Sequence, residues 1–234
     1  MNTSVKDRAS DAPDSSSLEH FLNAIRNFRQ QYYTDEPETM QALLTHGQSP
    51  KVLMIACSDS RVEPALLVNA EPGDLFVVRN VANLVPPYCV DDRHHGVGAA
   101  IEYAVRDLKV EHIIIMGHAH CGGIKALLNR VSGERQERDF IGNWVSIAEE
   151  ACHHLIGSPA GEGRDPLSVD QIRDYPCFLE RAAIDVSLKN LLTYPWLRER
   201  VEARELHLHG WWFDLESGDL WATDPETGCF MPAT

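Results

Sequence analysis

The segments VLMIACSDSR, residues 52–61, and HIIIMGHAHCGG, residues 112–123, decide the fold of this chain. Each is a short apolar run typical of a buried strand, followed at once by polar residues or glycine. Between them, residues 75–79 form another such run, and residues 96–108 have the apolar spacing of a helix. Strands that alternate with helices predict an α/β fold with a mostly parallel central sheet flanked by helices.

The remaining patterns extend this prediction to both ends of the chain. Further helices are predicted at residues 18–33 with Ser17 as N-cap, at 122–131, at 140–155, and at 168–192 with an interruption at Pro176. Residues 205–214 alternate as a strand, and the turn residues at 216–219 precede a short run at 220–223, which predicts a C-terminal edge hairpin. We predict a flexible tail at residues 1–17 and a single domain at 18–234, in which residues 18–46 form an N-terminal helical arm.

Composition narrows the possible partners and compartments. The formal net charge of -14 is unfavourable for binding nucleic acid or an anionic membrane surface. No apolar run approaches the roughly 18 to 20 residues of a membrane span, and residues 1–17 lack the apolar core of a secretion signal. These features predict a cytoplasmic protein. The six scattered cysteines do not resemble a disulfide framework, and four of them are predicted to be small buried residues: Cys89, Cys152, Cys177 and Cys229.

Two thiols and an imidazole are expected at the carboxyl ends of two buried strands, where parallel α/β sheets place their sites. Cys57, His118 and Cys121 are three ligands that a catalytic zinc accepts while its fourth position stays open for water or substrate. We therefore predict one Zn²⁺ per subunit. A structural zinc is the main alternative, but it takes four protein ligands, and the fourth would be Asp59, a carboxylate of a kind uncommon in such sites.

The residues around these ligands indicate metal-assisted hydration or hydrolysis. Asp59 and Arg61 flank the expected metal, and Arg61 can fix the carboxylate through a bidentate contact. Depending on that contact, Asp59 either binds zinc or accepts a hydrogen bond from zinc-bound hydroxide. Gly122 and Gly123 open a predicted helix, whose first backbone N–H groups can receive an anion. Neighbouring His120 is predicted to be a solvated side chain, with proton transfer as the alternative.

Several separated motifs together resemble the β-class carbonic anhydrases, and most closely their plant-type branch. The likeness runs from about residue 47 to residue 223 and is carried by GQSP at 47–50, CSDSR at 57–61, PGDLFVVRNVANLVPPY at 72–88, GVGAAIEYAV at 96–105, GHAHCGGIKALL at 117–128 and NLLTYPWL at 190–197. The resemblance implies zinc-dependent, reversible hydration of carbon dioxide to bicarbonate and a proton through zinc-bound hydroxide.

The resemblance also implies roles for individual residues. Cys57, His118 and Cys121 would bind zinc, and Asp59 with Arg61 would control the fourth position. Gln48 and the backbone N–H of Gly122 would hold substrate or product oxygen. The apolar and aromatic wall around the gas would be Phe76, Val81 and Tyr103. A homodimer or higher homo-oligomer is implied, with the pocket at the subunit interface and the apolar N-terminal helix as a candidate arm across the partner.

Two other functions fit the same ligands. Relatives with this ligand set hydrolyse carbonyl sulfide or carbon disulfide. A non-catalytic, zinc-stabilised bicarbonate-binding module is the second alternative, but such a module needs neither the pair Asp59 and Arg61 nor Gln48.

Overall fold

The structure, a computed structural model, describes residues 15–134, 138–157 and 166–234. It divides into two compact units, Met1–Gln48 and Ser49–Thr234, which are described separately. Most of the predicted flexible tail, residues 1–14, lies outside the described residues, and residues 15–17 are helical. The division of the chain into tail, arm and domain stays a prediction.

In the described part of the first unit, residues 15–48, lie two helices, α1 (Ser15–Gln30) and α2 (Glu38–His46), with a π-helical turn at Gln31–Asp35. Because α1 begins at Ser15, Ser17 lies in its first turn, and the predicted N-cap at Ser17 is wrong. Helix α2 lies within the predicted helical arm, residues 18–46, although only residues 18–33 of that arm had been assigned to a particular helix. The apolar side chains of α1 have helical spacing and all are exposed: Leu18, Phe21, Leu22, Ile25 and Phe28.

The second unit is built on a six-stranded sheet in the order β2-β1-β3-β4-β5-β6. The strands are β1 (Val52–Cys57), β2 (Leu75–Asn80), β3 (His112–His118), β4 (His207–Phe213), β5 (Leu220–Thr223) and β6 (Phe230–Pro232). Strands β1 to β4 are parallel, and β5 and β6 join antiparallel. The mostly parallel sheet and the C-terminal hairpin of β4 and β5 are thus confirmed, and β6 is an additional strand that was not predicted.

Helices connect the strands of this sheet. They are α3 (Pro64–Leu67), α4 (Gly96–Glu102), α5 (Gly122–Val131), α6 (Ile141–Val145), α7 (Glu149–Ile156), α8 (Val169–Asp174), α9 (Cys177–Leu191) and α10 (Pro195–Glu202). The predicted helix at 140–155 is broken by a 3-10 turn, Ser146–Ala148, and that at 96–108 ends in a π-helical turn, Tyr103–Asp107. Neither α3 nor α10 was predicted. None of the helices in the described ranges is long and apolar enough to cross a membrane.

Both faces of the central strands β1 and β3 are buried, as in parallel sheets generally. Alternate residues of β1 and β3 face the main core: Leu53, Ile55, Ile113 and Ile115. The residues between them form a separate cluster on the opposite face: Met54, Ala56, Ile114 and Met116. This double burial fixes the register of β1 and β3, and therefore the positions of the two strand ends that carry polar residues.

Helix α9 lies unusually close to the sheet. A Cβ atom at Gly117 on β3 would come 2.8 Å from Ile184 Cδ1 on α9, and one at Gly210 on β4 would come 2.9 Å from Ile184 Cγ2. Only glycine therefore permits this approach at either strand. As a result the first turns of α9 lie near the carboxyl end of β3.

The cysteines outside the candidate site differ in burial. Cys152 is fully buried and Cys177 is half-buried, whereas Cys89 and Cys229 are exposed. The prediction that all four are small buried residues is wrong for Cys89 and Cys229, because both lie in connections between elements rather than on a core-facing strand or helix.

Candidate metal centre

Three ligand atoms converge at the carboxyl edge of the sheet. Cys57 ends β1 and His118 ends β3, and the pairing of Ala56 with Met116 places both ends at the same level. Cys121 follows three residues after His118, directly before α5. All three side chains are buried, and their ligand atoms lie within 4.8 Å of one another. The structure thus brings together the three residues singled out from the sequence.

The geometry of these atoms fits a zinc ion. Two sulfur ligands at about 2.3 Å from a tetrahedral zinc lie about 3.8 Å apart, and the Sγ atoms of Cys57 and Cys121 are 3.9 Å apart. His118 Nδ1 donates to the carbonyl oxygen of Ala119 at 2.8 Å, which leaves Nε2 as the ligand nitrogen. Within the described residues, buried Nε2 has no partner that meets hydrogen-bond geometry, and the imidazole interacts electrostatically with the neighbouring Cys57 thiol. A bound cation would satisfy it.

The ionisation of the two cysteine side chains also favours a bound cation. The hydrogen bond from the Cys121 thiol lowers the pKa of Cys57, and the same bond, together with burial, raises the pKa of Cys121. Backbone N–H groups of Gly123 and Ile124 face the Cys121 sulfur and act in the opposite direction, towards the thiolate. Two buried thiolates at this distance repel each other, so both ionise only with a cation between them.

Arg61 holds Asp59 beside the three ligand atoms. Arg61 Nε donates to Asp59 Oδ1 at 2.9 Å, Nη2 donates to Oδ2 at 2.7 Å, and the Arg61 backbone N–H donates to Oδ1 at 3.0 Å. This hydrogen bonding holds the pKa of Asp59 well below its usual range. Asp59 Oδ2 is 3.9 Å from His118 Nε2. Both carboxylate oxygens are therefore engaged by Arg61 at the border of the ligand cluster.

Arg79 fixes the loop that carries Asp59. From its position on β2, its guanidinium donates to three backbone carbonyls, those of Cys57 at 3.0 Å, Asp59 at 2.7 Å and Val62 at 3.0 Å. It also pairs with the carboxylate of Glu63. The loop after β1 is thus tied to the neighbouring strand by a side chain.

The second ligand segment depends on close packing at the start of α5. A Cβ at Gly123 would come 2.7 Å from Val81 Cγ1 and 2.8 Å from Ala82 Cβ, so this position requires glycine, whereas a Cβ at Gly122 would meet nothing within 4 Å. His120 has a left-handed backbone with φ of 57°, and its carbonyl accepts from Arg61 at 3.2 Å. The exposed imidazole of His120 pairs with Glu216 at 2.7 Å, an ion-pair geometry that the sequence did not indicate.

The predicted substrate-pocket residues fall in separate places. Val81 lies against Gly123 at the start of α5. Phe76 and Tyr103 contact each other with ring centroids 5.8 Å apart. Phe76 pairs with Leu53, four residues before Cys57 on β1, which is about 13 Å along the strand. Gln48 is the last residue of the first unit and is exposed.

Sequence reasoning missed a buried acid behind the candidate metal ligands. Glu180 on α9 is 3% exposed, and its carboxylate accepts from the Cys121 backbone N–H at 3.1 Å and from Trp212 Nε1 at 3.0 Å. Burial raises the pKa of Glu180. A signal was present, because Glu180 precedes the buried Ile184 by four residues and so lies on the core-facing side of its helix.

Sequence comparison places the chain among carbonic anhydrases. The family model described as carbonic anhydrase matches residues 52–220. A carbonic anhydrase from Synechocystis sp. is 35% identical over 208 residues, which are 88% of this chain and 71% of that protein.

Comparison with solved structures also finds carbonic anhydrases. The β-carbonic anhydrase CcaA superposes with a TM-score of 0.79 at 33% identity, covering 94% of this chain and 93% of that one. The β-carbonic anhydrase CafA of Aspergillus fumigatus gives a TM-score of 0.72 at 29% identity, covering 89% and 91%. One of two tetrameric β-carbonic anhydrases from Sordaria macrospora gives 0.69 at 27% identity, covering 92% and 99%. With these matches, the expected resemblance is confirmed at the level of the class: the chain belongs to the β-carbonic anhydrase family.

Proposed function

We propose that this protein catalyses the reversible hydration of carbon dioxide to bicarbonate and a proton, using one Zn²⁺ held by Cys57, His118 and Cys121. The single observation that carries the proposal is the buried Nε2 of His118, which has no partner of hydrogen-bond geometry among the described residues and lies within 4.8 Å of both sulfur atoms. The chain that holds this cluster belongs to the carbonic anhydrase family. A site of two thiolates and one imidazole binds zinc in preference to harder cations such as magnesium.

When bound, zinc supplies Lewis acidity that lowers the pKa of water from 15.7 towards ~7. The residues around it orient and stabilise the reactants. Asp59 is a carboxylate at neutral pH, and the hydrogen bonds from Arg61 lower its pKa further, so it acts as a hydrogen-bond acceptor. A water molecule beside the ligand atoms donates to Asp59, which directs a lone pair of the water oxygen towards the carbon of carbon dioxide. In the hydration step the water oxygen bonds to carbon, one C=O double bond becomes a single bond whose electron pair stays on oxygen, and one O–H bond of the water breaks to release a proton to solvent buffer.

The product is an anion, and the start of α5 suits it. The backbone N–H of Gly122 belongs to the first turn of α5, where N–H groups lack partners within the helix. The open space around Gly122 allows a ligand to approach this backbone closely. We propose that the Gly122 N–H holds bicarbonate oxygen and, as the family resemblance implies, that Gln48 binds substrate or product oxygen.

The proposed active unit is a homo-oligomer, at least a dimer. Phe76 lies about 13 Å along the sheet from the level of Cys57 in its own chain, and Tyr103 contacts Phe76. A role for both as walls of the gas pocket therefore requires a second copy, whose metal centre they would face. The exposed apolar stripe of α1 supplies a surface for such an association.

We place the protein in the cytoplasm, without nucleic-acid or membrane partners. Six free thiols and a net charge of -14 support this placement.

Stopped-flow hydration of carbon dioxide, with metal content measured on the same samples, tests the proposal. We expect one zinc per chain, catalysis that is lost with the metal, and a roughly 100-fold lower kcat/KM in Asp59→Asn. Asp91→Asn is the matched control. Asp91 also accepts hydrogen bonds from an arginine two residues later, with the Arg93 backbone N–H at 2.8 Å and Nε at 2.7 Å, but it lies in an exposed loop.

Two outcomes would overturn the proposal. The first is zinc-loaded wild-type protein that hydrates carbon dioxide no faster than buffer does. The second is faster turnover of carbonyl sulfide than of carbon dioxide under identical conditions, which would assign the hydrolase function instead.

A further inference from the structure

The buried acid on α9 bridges two parts of the molecule that are distant in sequence. Glu180 Oε1 accepts from the backbone N–H of Cys121, and Oε2 accepts from the indole N–H of Trp212 on β4. Each oxygen therefore has its own donor. Because Cys121 is both a metal ligand and the residue before α5, the hydrogen bond to Glu180 acts on the peptide group that orients its sulfur.

A stack of side chains fixes the second donor. The guanidinium carbon of Arg181 lies 4.3 Å from the ring centroid of Trp212 and 4.4 Å from that of Trp221 on β5. Phe230 on β6 adds a third ring at 5.7 Å. A partly buried cation over aromatic rings is a favourable arrangement. This contact restrains the Trp212 ring, whose N–H donates to Glu180.

The close packing of α9 against the backbone of β3 and β4 positions Glu180. Ile184, one turn further along α9, occupies the space that side chains at Gly117 and Gly210 would fill. Gly117 pairs with Trp212 across β3 and β4. The close approach of α9 therefore brings Glu180 to the turn after β3 and to Trp212 at the same time.

The geometry points to Glu180 as a positioning residue for the metal centre, which holds the Cys121 peptide in place and links it through Trp212 to the C-terminal strands. This inference rests on the metal-binding part of the proposed function. A glutamine at this position offers one acceptor oxygen and one NH₂ group, so it serves one N–H donor and opposes the other. Substituting groups that orient metal ligands typically costs about 10-fold to 100-fold in metal affinity.

Zinc release to a chromogenic chelator, together with the absorption spectrum of the cobalt(II)-substituted protein, tests this role. We expect Glu180→Gln to release zinc about 10 to 100 times faster than wild type and to shift the thiolate-to-cobalt band. Trp212→Phe is the milder variant, since it keeps a ring under Arg181 and removes only the N–H donor. It should change both readouts in the same direction but less, and it tests the inference if Glu180→Gln does not fold.

Asp185→Asn is the matched control, because Asp185 is a partly buried acid on the same helix with no hydrogen bond to the metal turn among the described residues. Unchanged zinc release and cobalt spectrum in Asp185→Asn, alongside changes in the other two variants, would support the inference. Wild-type release and spectra in both Glu180→Gln and Trp212→Phe would overturn it. Wild-type protein that binds no stoichiometric zinc would overturn the proposed function itself, so the two failures are distinguishable.

Discussion

Replacing Asp185 by Asn is expected to stabilise the protein increasingly as pH rises from 5 to 7.5. Burial raises the pKa of Asp185 from its ordinary value of 3.8 to about 6, against the opposing charge of Lys189. Between these two values the folded state binds more protons at this carboxyl than the unfolded state does. The free energy of unfolding contributed by Asp185 therefore falls as pH rises through this window, and it is constant above it.

The size of this pH-dependent change in the free energy of unfolding follows from the raised pKa of Asp185. About two pKa units correspond to about 3 kcal/mol in total, of which about 1.4 kcal/mol arises above pH 5. Because the side chain is partly exposed and water reduces the penalty, we expect the difference between Asp185→Asn and wild type to grow by about 1 kcal/mol between pH 5 and pH 7.5.

Urea unfolding followed by tryptophan fluorescence measures this difference, at fixed protein concentration because association is linked to stability. Asp174→Asn on α8 is the control for the loss of a carboxylate on a helix, since Asp174 is exposed and not buried. A difference for Asp185→Asn that is equal at pH 5 and pH 7.5, or that shrinks, would refute the reasoning.

Three further perturbations test other parts of the structure. Arg61→Met should free the carboxylate of Asp59 to bind the metal and close its open position. We then expect carbon dioxide hydration to be at least about tenfold slower, and the cobalt(II) spectrum to show an additional oxygen ligand. An unaltered spectrum would contradict this. Burial and two neighbouring histidines lower the pKa of His209 below 6.5, so wild type should lose stability as pH falls below that value. Thermal melts of His209→Gln between pH 7 and 5.5 should depend less on pH, and parallel curves would count against it. Gly123→Ala should destabilise by about 1 to 3 kcal/mol, because its methyl group would overlap Val81; urea unfolding with an unchanged midpoint would exclude that overlap.

The sheet and its ligands could be predicted because both depend on local patterns. Buried parallel strands appear as short apolar runs, and polar residues that end such runs must meet at one edge. Cys57, His118 and Cys121 satisfy this rule without any knowledge of loop paths. The spacing of Asp59 and Arg61 directly after a buried strand likewise indicated a pair, whose bidentate contact the structure contains.

Long-range contacts could not be predicted in this way. The hydrogen bond from Cys121 to Glu180 spans 59 residues, and the bonds from Arg79 to the loop after β1 span 17 to 22. No periodicity encodes which loop a buried side chain will meet. The start of α10 was missed for a different reason: Pro195 indicates a turn, but it occupies the first helical turn, where its missing N–H costs nothing.

The hydrogen bonds of Arg79 have a consequence for how the metal centre assembles. A strand that leaves a sheet ordinarily gives its carbonyl groups to water, and the chain beyond it frays. Here one side chain from the adjacent strand replaces that water for Cys57, Asp59 and Val62. The entropy lost in ordering this segment is therefore lost during folding and not during metal binding. The segment is already in position when the ion binds.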